Sequence, residues 1–156
     1  MRRDAAIIEL LNEVLTAELT SVNQYFVDAR MLDNWGYEVL GKHYYDESID
    51  EMKDADALIV RILFLEGVPN LQRLSTVRVG ETVPEKLELA RDLEYESIDR
   101  LNLGIAKCFE LGDSGTRELL EHILEGEEEH ADWLETQLGL IAKLGETNYL
   151  AQQLRD

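Results

Sequence analysis

The sequence predicts an all-α fold: four long helices in one bundle, with a short fifth helix at the C-terminus. Three observations predict it. Apolar residues recur at helical spacing through four long segments. The chain has only two prolines among its 156 residues and is rich in Leu, Glu and Ala. The breakers between segments leave two short connections and one long one. The length suits a single domain, residues 1–156, large enough to bury a substantial core.

The first helix is expected near 4–34 and stops at Asn34-Trp35-Gly36, and the second follows near 38–65. Residues 66–82, with Gly67, Pro69 and Gly80, have no helical period and form the longest connection. The third helix is expected near 83–111 and the fourth near 115–144, separated by Gly112-Asp113-Ser114-Gly115. Gly145 closes the fourth, and the fifth lies near 147–153. Short connections require antiparallel hairpins, first with second and third with fourth. A helix of about 28 residues is about 42 Å long. The linker from Glu66 to Thr82 can span roughly 55 Å when extended at ~3.3 Å per residue. It can therefore run the length of the bundle and start the third helix parallel to the second, which makes a single-crossover bundle. There is no clear internal repeat and no low-complexity tract.

Lys plus Arg number 15 against 33 Asp plus Glu, a formal net charge of −18. That balance argues against a nucleic-acid surface, which needs clustered cations, and against an anionic membrane face. With 45% hydrophobic residues the chain is not a disordered acidic tail. The single cysteine, Cys108, cannot form an internal disulfide, suits a reducing cytosol, and is expected in ordinary core packing. Arg2 and Arg3 precede acids at Asp4 and Glu9 that break up any apolar signal segment. No window approaches the ~20 uninterrupted apolar residues of a bilayer span. The expectation is a soluble, cytoplasmic protein with neither nucleic-acid nor membrane partners.

Carboxylates stand where leucines are expected. The first stripe reads Ile7, Leu11, Leu15, Glu18, Val22, Phe26, Ala29. The second reads Leu40, Tyr44, Glu47, Glu51, Asp54, Leu58, Ile62, Leu65. The third reads Leu87, Ala90, Glu94, Ile98, Leu101, Ile105, and the fourth Ile123, Glu127, His130, Leu134, Gln137, Ile141, Leu144. Each helix thus interrupts its core stripe with acid near mid-length. A single such Glu reads as a stripe edge or a snorkelling side chain, and a lone His130 as a satisfied core residue. Four helices in register are a different matter: unpaired buried carboxylates cost several kcal/mol each even after relaxation and repel one another. No Lys or Arg lies on the same stripes, so the natural remedy is a hard, oxygen-loving cation. One Glu on each of two helices, with Glu-x-x-His on the others, is the di-iron arrangement of carboxylate bundles. Here the single acids are Glu18 and Glu94, and the intact pair is Glu127 with His130, an i,i+3 spacing that puts both on one face.

The second helix has another apolar face: Tyr45, Ile49, Met52, Ile59 and Leu63. A helix apolar on two sides must bury the second, most simply against another subunit. On spacing alone, Met52 is interface packing.

Several stretches resemble bacterioferritin: Asn23-Gln24-Tyr25-Phe26, Glu47-Ser48-Ile49-Asp50-Glu51-Met52, Ile62-Leu63-Phe64-Leu65-Glu66-Gly67 with Pro69-Asn70, Trp133-Leu134-Glu135-Thr136, and the tail Asn148-Tyr149-Leu150. The resemblance runs along nearly the whole chain. It implies a ferritin-like four-helix bundle in a hollow 24-subunit shell that oxidises Fe(II) to Fe(III) with dioxygen or peroxide and stores ferric mineral. It implies haem b between two subunits, held by Met52 from each, and di-iron ligands at Glu18, Glu51, Glu94, Glu127 and His130. It also implies an iron-sulfur ferredoxin as electron donor, and a pore between subunits lined by Asn34, Glu66, Asp132 and Thr136; their plainer reading is a solvated interface rim. Asp50 and Asp46 would face the cavity, the latter where bacterioferritins often carry histidine.

The sequence departs from the family at Asp54, where the motif Glu-x-x-His places histidine. Carboxylate for imidazole raises the ligand set from four negative charges to five, if all are ionised, and shortens the reach to metal. Two readings follow. In one, Glu51 and Glu127 bridge two irons, Glu18 with Asp54 and Glu94 with His130 hold one each, and the chain is a ferroxidase. In the other, Asp54 impairs that site, and the chain is the haem-bearing subunit of a mixed shell, serving structure, storage and electron transfer for iron release. Tyr25, one or two turns beyond Glu18, reads either as an electron donor or as a core aromatic. A DNA-protecting mini-ferritin is disfavoured by the charge and by the lack of a basic tail.

Overall fold

The structure, a computed structural model, describes residues 4–155. Its helices are α1 (Ala5–Asn34), α2 (Glu38–Phe64), α3 (Val83–Glu110), α4 (Ser114–Leu144) and α5 (Glu146–Ala151). The long helices depart from the expected spans by one residue at an end, and caps explain the starts. Asp4 accepts from the Ala6 N–H at 2.8 Å, Thr82 from Glu85 at 3.2 Å and Asp113 from Thr116 at 3.1 Å. Each of these satisfies a backbone donor that the first turn leaves free. The fifth helix begins at Glu146 and ends at Ala151 rather than spanning 147–153, because Gln152 and Gln153 close a tight turn onto Tyr149 and Leu150. Gly36 (φ 92°) and Gly112 (φ 71°) take left-handed backbone in the two short connections.

α1 with α2 and α3 with α4 form the antiparallel hairpins. The crossover runs back along α1, tied to it rung by rung. Asn12 Nδ2 donates to the Val68 carbonyl at 3.1 Å, and the Asn70 N–H donates to Asn12 Oδ1 at 2.8 Å. Arg73 Nε donates to Thr16 Oγ1, the Ser75 N–H to Thr20 Oγ1 and the Arg78 N–H to Gln24 Oε1. The acceptors are four residues apart, hence on one face of α1. At the far end Lys86 Nζ meets Asp28 Oδ1 at 2.7 Å, with both side chains buried. α3 therefore starts where α1 ends and runs parallel to α2, as the linker length predicts.

The apolar core is split in two. One cluster, including Leu11, Leu15, Leu58, Leu101 and Leu120, also buries Cys108. The other gathers Tyr25, Leu32, Tyr44, Leu87, Leu134 and Tyr149. One stripe assignment needs correction: Phe26 is 45% exposed, and Tyr25 is the residue that points inward.

Candidate metal centre

Between the two clusters each long helix delivers one carboxylate. Glu18 from α1, Glu51 from α2, Glu94 from α3 and Glu127 from α4 are all at most 3% exposed. Glu18, Glu51, Asp54 and Glu127 each place a carboxylate oxygen within 4.8 Å of the others. Beside them Glu94 Oε1 lies 2.9 Å from His130 Nδ1 and accepts a hydrogen bond from the Tyr25 hydroxyl. The i,i+3 pairs Glu51/Asp54 and Glu127/His130 each come from one helix face. All six expected ligands thus converge, in two adjoining sets.

The electrostatics mark the site as incomplete. Burial raises the carboxyls of Glu18, Glu51 and Glu127 well above their ordinary range. Their strongest like-charge neighbours, Glu127, Glu18 and Glu94 respectively, add to this. Burial lifts Glu94 to about 7, against the hydrogen bonds from Glu127 and Tyr25. Asp54, less enclosed, is lifted by burial to about 6 while His122 opposes the rise. His130 is pushed down by burial, which keeps its imidazole neutral. Buried oxygens of Glu18, Glu51 and Glu94, and Nε2 of His130, have no hydrogen-bond partner.

Asp28 is also buried on α1, but Lys86 neutralises it. Among the described residues no Lys or Arg pairs with Glu18, Glu51, Glu94 or Glu127. Several acceptor-rich carboxylates beside neutral imidazole, with no Lys or Arg among the described residues to pair them, fit hard divalent or trivalent metal.

The other expected residues are more dispersed. Tyr25 is both core aromatic and hydrogen-bonded to a ligand; its ring meets His130 edge-on at 5.3 Å. Met52 is 48% exposed on the outer face of α2, beside the exposed Tyr45 and Ile49. Asp46 and Asp50 lie at the surface, Asp46 paired with Lys42 at 2.8 Å. Asn34, Glu66, Asp132 and Thr136 are all exposed. Sequence reasoning missed His122 and His43 beside the centre, and read Glu47 only as one of the acids in the second stripe. His122 faces the cleft of about 360 Å³ that Asp54 and Asp50 line. His43 and Glu47 gather with His130 in a second group of possible ligands. The i,i+4 spacing of His43 and Glu47 was the available signal.

The ferritin-like domain family matches residues 8–144 of the chain. Bacterioferritin from Mycolicibacterium paratuberculosis is 49% identical over 152 residues, covering 97% of this chain and 96% of that protein. Bacterioferritin from Streptomyces coelicolor is 50% identical over 151 residues, covering 97% and 90%. The chain belongs to the bacterioferritin family. Bacterioferritin from Brucella melitensis biotype 1 is a more distant relative, 45% identical over 149 residues. Family membership agrees with the helical bundle and makes this an iron-storage protein, with a carboxylate and histidine cluster compatible with a di-iron site. No helix among the described residues is long and apolar enough to cross a membrane.

Proposed function

We propose that this chain is a shell-forming, cytoplasmic bacterioferritin subunit that oxidises Fe(II) and stores the ferric product. The observation that carries the proposal is the set of four buried carboxylates, one per helix, joined by Asp54 and His130 and lacking any Lys or Arg partner among the described residues. Fe(II) is here the substrate, and it supplies the electrons that reduce dioxygen or peroxide. The chain's residues do the rest. Glu51 and Glu127 would be the bridging residues. Glu18 with Asp54, and Glu94 with His130, are the terminal ligands. The two apolar clusters above and below hold the ligand geometry fixed. Tyr25, whose hydroxyl proton already points at Glu94, is placed to give an electron while passing that proton to the carboxylate. The acidic surface draws cations toward the shell.

Met52 is proposed to hold haem b against the same residue of a second copy. Its thioether suits haem iron, and the exposed apolar residues around it suit the macrocycle. An iron-sulfur ferredoxin is the proposed electron donor for iron release.

Asp54 decides between a working ferroxidase and the impaired, haem-bearing half of a mixed shell. Its oxygen lies within the ligand group despite the shorter side chain, which favours the first. The test is stopped-flow absorbance of the apo-shell mixed aerobically with about two Fe(II) per subunit, in parent and Asp54→His. A fast oxidation phase in the parent, matched by the variant within a few-fold, is expected. A slow parent accelerated by histidine would establish the mixed-shell reading instead.

A further inference from the structure

His43 and Glu47 sit one turn apart on α2, and both face His130 on α4. Their ligand atoms and that of His130 lie within 4.8 Å of one another. Glu47 Oε2 is 3.5 Å from His130 Nδ1, and Glu47 Oε1 is 3.9 Å from His43 Nε2. The His43 ring lies flat on Trp133, centroids 3.5 Å apart and planes 11° from parallel, so its orientation is fixed from α4. The two imidazole rings are 5.4 Å apart. Nε2 of His43 and Nε2 of His130 are both buried without a hydrogen-bond partner, and His130 is 3% exposed. A cleft of about 270 Å³ between α2 and α4 is lined by all three residues.

One ring nitrogen from each histidine and a Glu47 oxygen, gathered at the edge of this cleft, form a different donor set from the carboxylate cluster next door. Two histidines and one carboxylate with free positions suit Fe(II) and neighbouring first-row divalent ions, whereas an all-oxygen set suits harder ions. Trp133 supports the outer ligand by stacking, as the shell around a metal ligand commonly does.

We infer that His43, Glu47 and His130 form a third, mononuclear site for a first-row divalent cation on the cleft side of the carboxylate centre. The inference rests on the iron-oxidation reading only through His130, which belongs to both sites, so occupancy of one constrains the ligands left for the other.

Zn(II), which is redox-inert and binds the same donor types, is the probe. Crystals of the assembled apo-shell soaked in Zn(II) are examined by anomalous diffraction, in parent and His43→Ala. An anomalous peak about 2.0–2.2 Å from both His43 and Glu47 is expected in the parent, besides peaks among Glu18, Glu51 and Glu127. In His43→Ala that peak disappears and the others remain, and zinc bound per subunit in solution falls. Peaks confined to the carboxylate set in the parent, or a peak at Glu47 that survives His43→Ala, would overturn the inference. A peak at His43 with none among Glu18, Glu51 and Glu127 would leave it standing and sink the di-iron reading. No peak anywhere would overturn both. His43 is partly exposed at its edge, and size-exclusion elution of the variant shell checks that assembly is unaffected.

Discussion

Glu18, Glu51, Glu94 and Glu127 hold protons more tightly in the fold than in an unfolded chain, and Asp54 does so to about 6. A carboxyl raised in this way stabilises the fold most below its ordinary range, and that contribution is lost as pH rises through the folded value. The apo-protein is therefore expected to melt at progressively lower temperature from pH 5.5 to pH 8, across the values of Asp54 and of Glu94 at about 7. Zn(II) should remove most of that decline, and Glu18→Gln should flatten it without metal; thermal scans at fixed protein concentration measure all three. An apo-protein whose melting temperature climbs over the same interval would contradict the electrostatic account. Most of these residues were legible in the sequence because each interrupts an otherwise apolar stripe. His122 was not, since it acquires its meaning from Asp54 on another helix, and for His43 the spacing to Glu47 was visible but the stack on Trp133 was not. Nor does period choose between the adjacent Tyr25 and Phe26. Tyr25 turns inward where its hydroxyl finds Glu94 and its ring finds Tyr44.

The buried Lys86–Asp28 pair fixes how α3 docks on the end of α1. Removing one partner of such a pair leaves an uncompensated charge, which costs about 3–5 kcal/mol. Lys86→Met should lower the melting temperature markedly at pH 8. The loss should shrink below pH 6, where Asp28, held at about 6 by burial even with Lys86 beside it, takes up a proton. Asp28→Leu added to Lys86→Met should restore most of the stability at pH 8, and an unchanged melting temperature in the single variant would refute this account. At this scale helix order, hairpin pairing and the parallel return of α3 followed from loop lengths. The fastening of the crossover did not. Asn12, Thr16, Thr20 and Gln24 form a polar stripe at a spacing of four, and a polar stripe ordinarily reads as a solvated face. Here Thr16, Thr20 and Gln24 are buried because the crossover lies over them.

The whole molecule combines a charge of −18 with an apolar outer face on α2. The charge keeps most of the surface wet, and the face supplies the adhesive area that an assembling subunit needs. That face was visible in the sequence as a second stripe, with another subunit as its expected occupant. Met52→Leu keeps the apolar surface and removes the sulfur. It is expected to leave the sedimentation of the shell unchanged and to abolish the Soret absorbance per subunit after haem reconstitution. Retained Soret absorbance would exclude Met52 as the haem ligand. The backbone amides of Asn70, Ser75 and Arg78 belong to a segment with no regular structure, yet each is held by a side chain of α1. Their exchange with solvent hydrogen requires the strap to lift from the helix. By dihedral angle this stretch is coil; by the free energy needed to open it, it belongs to the bundle.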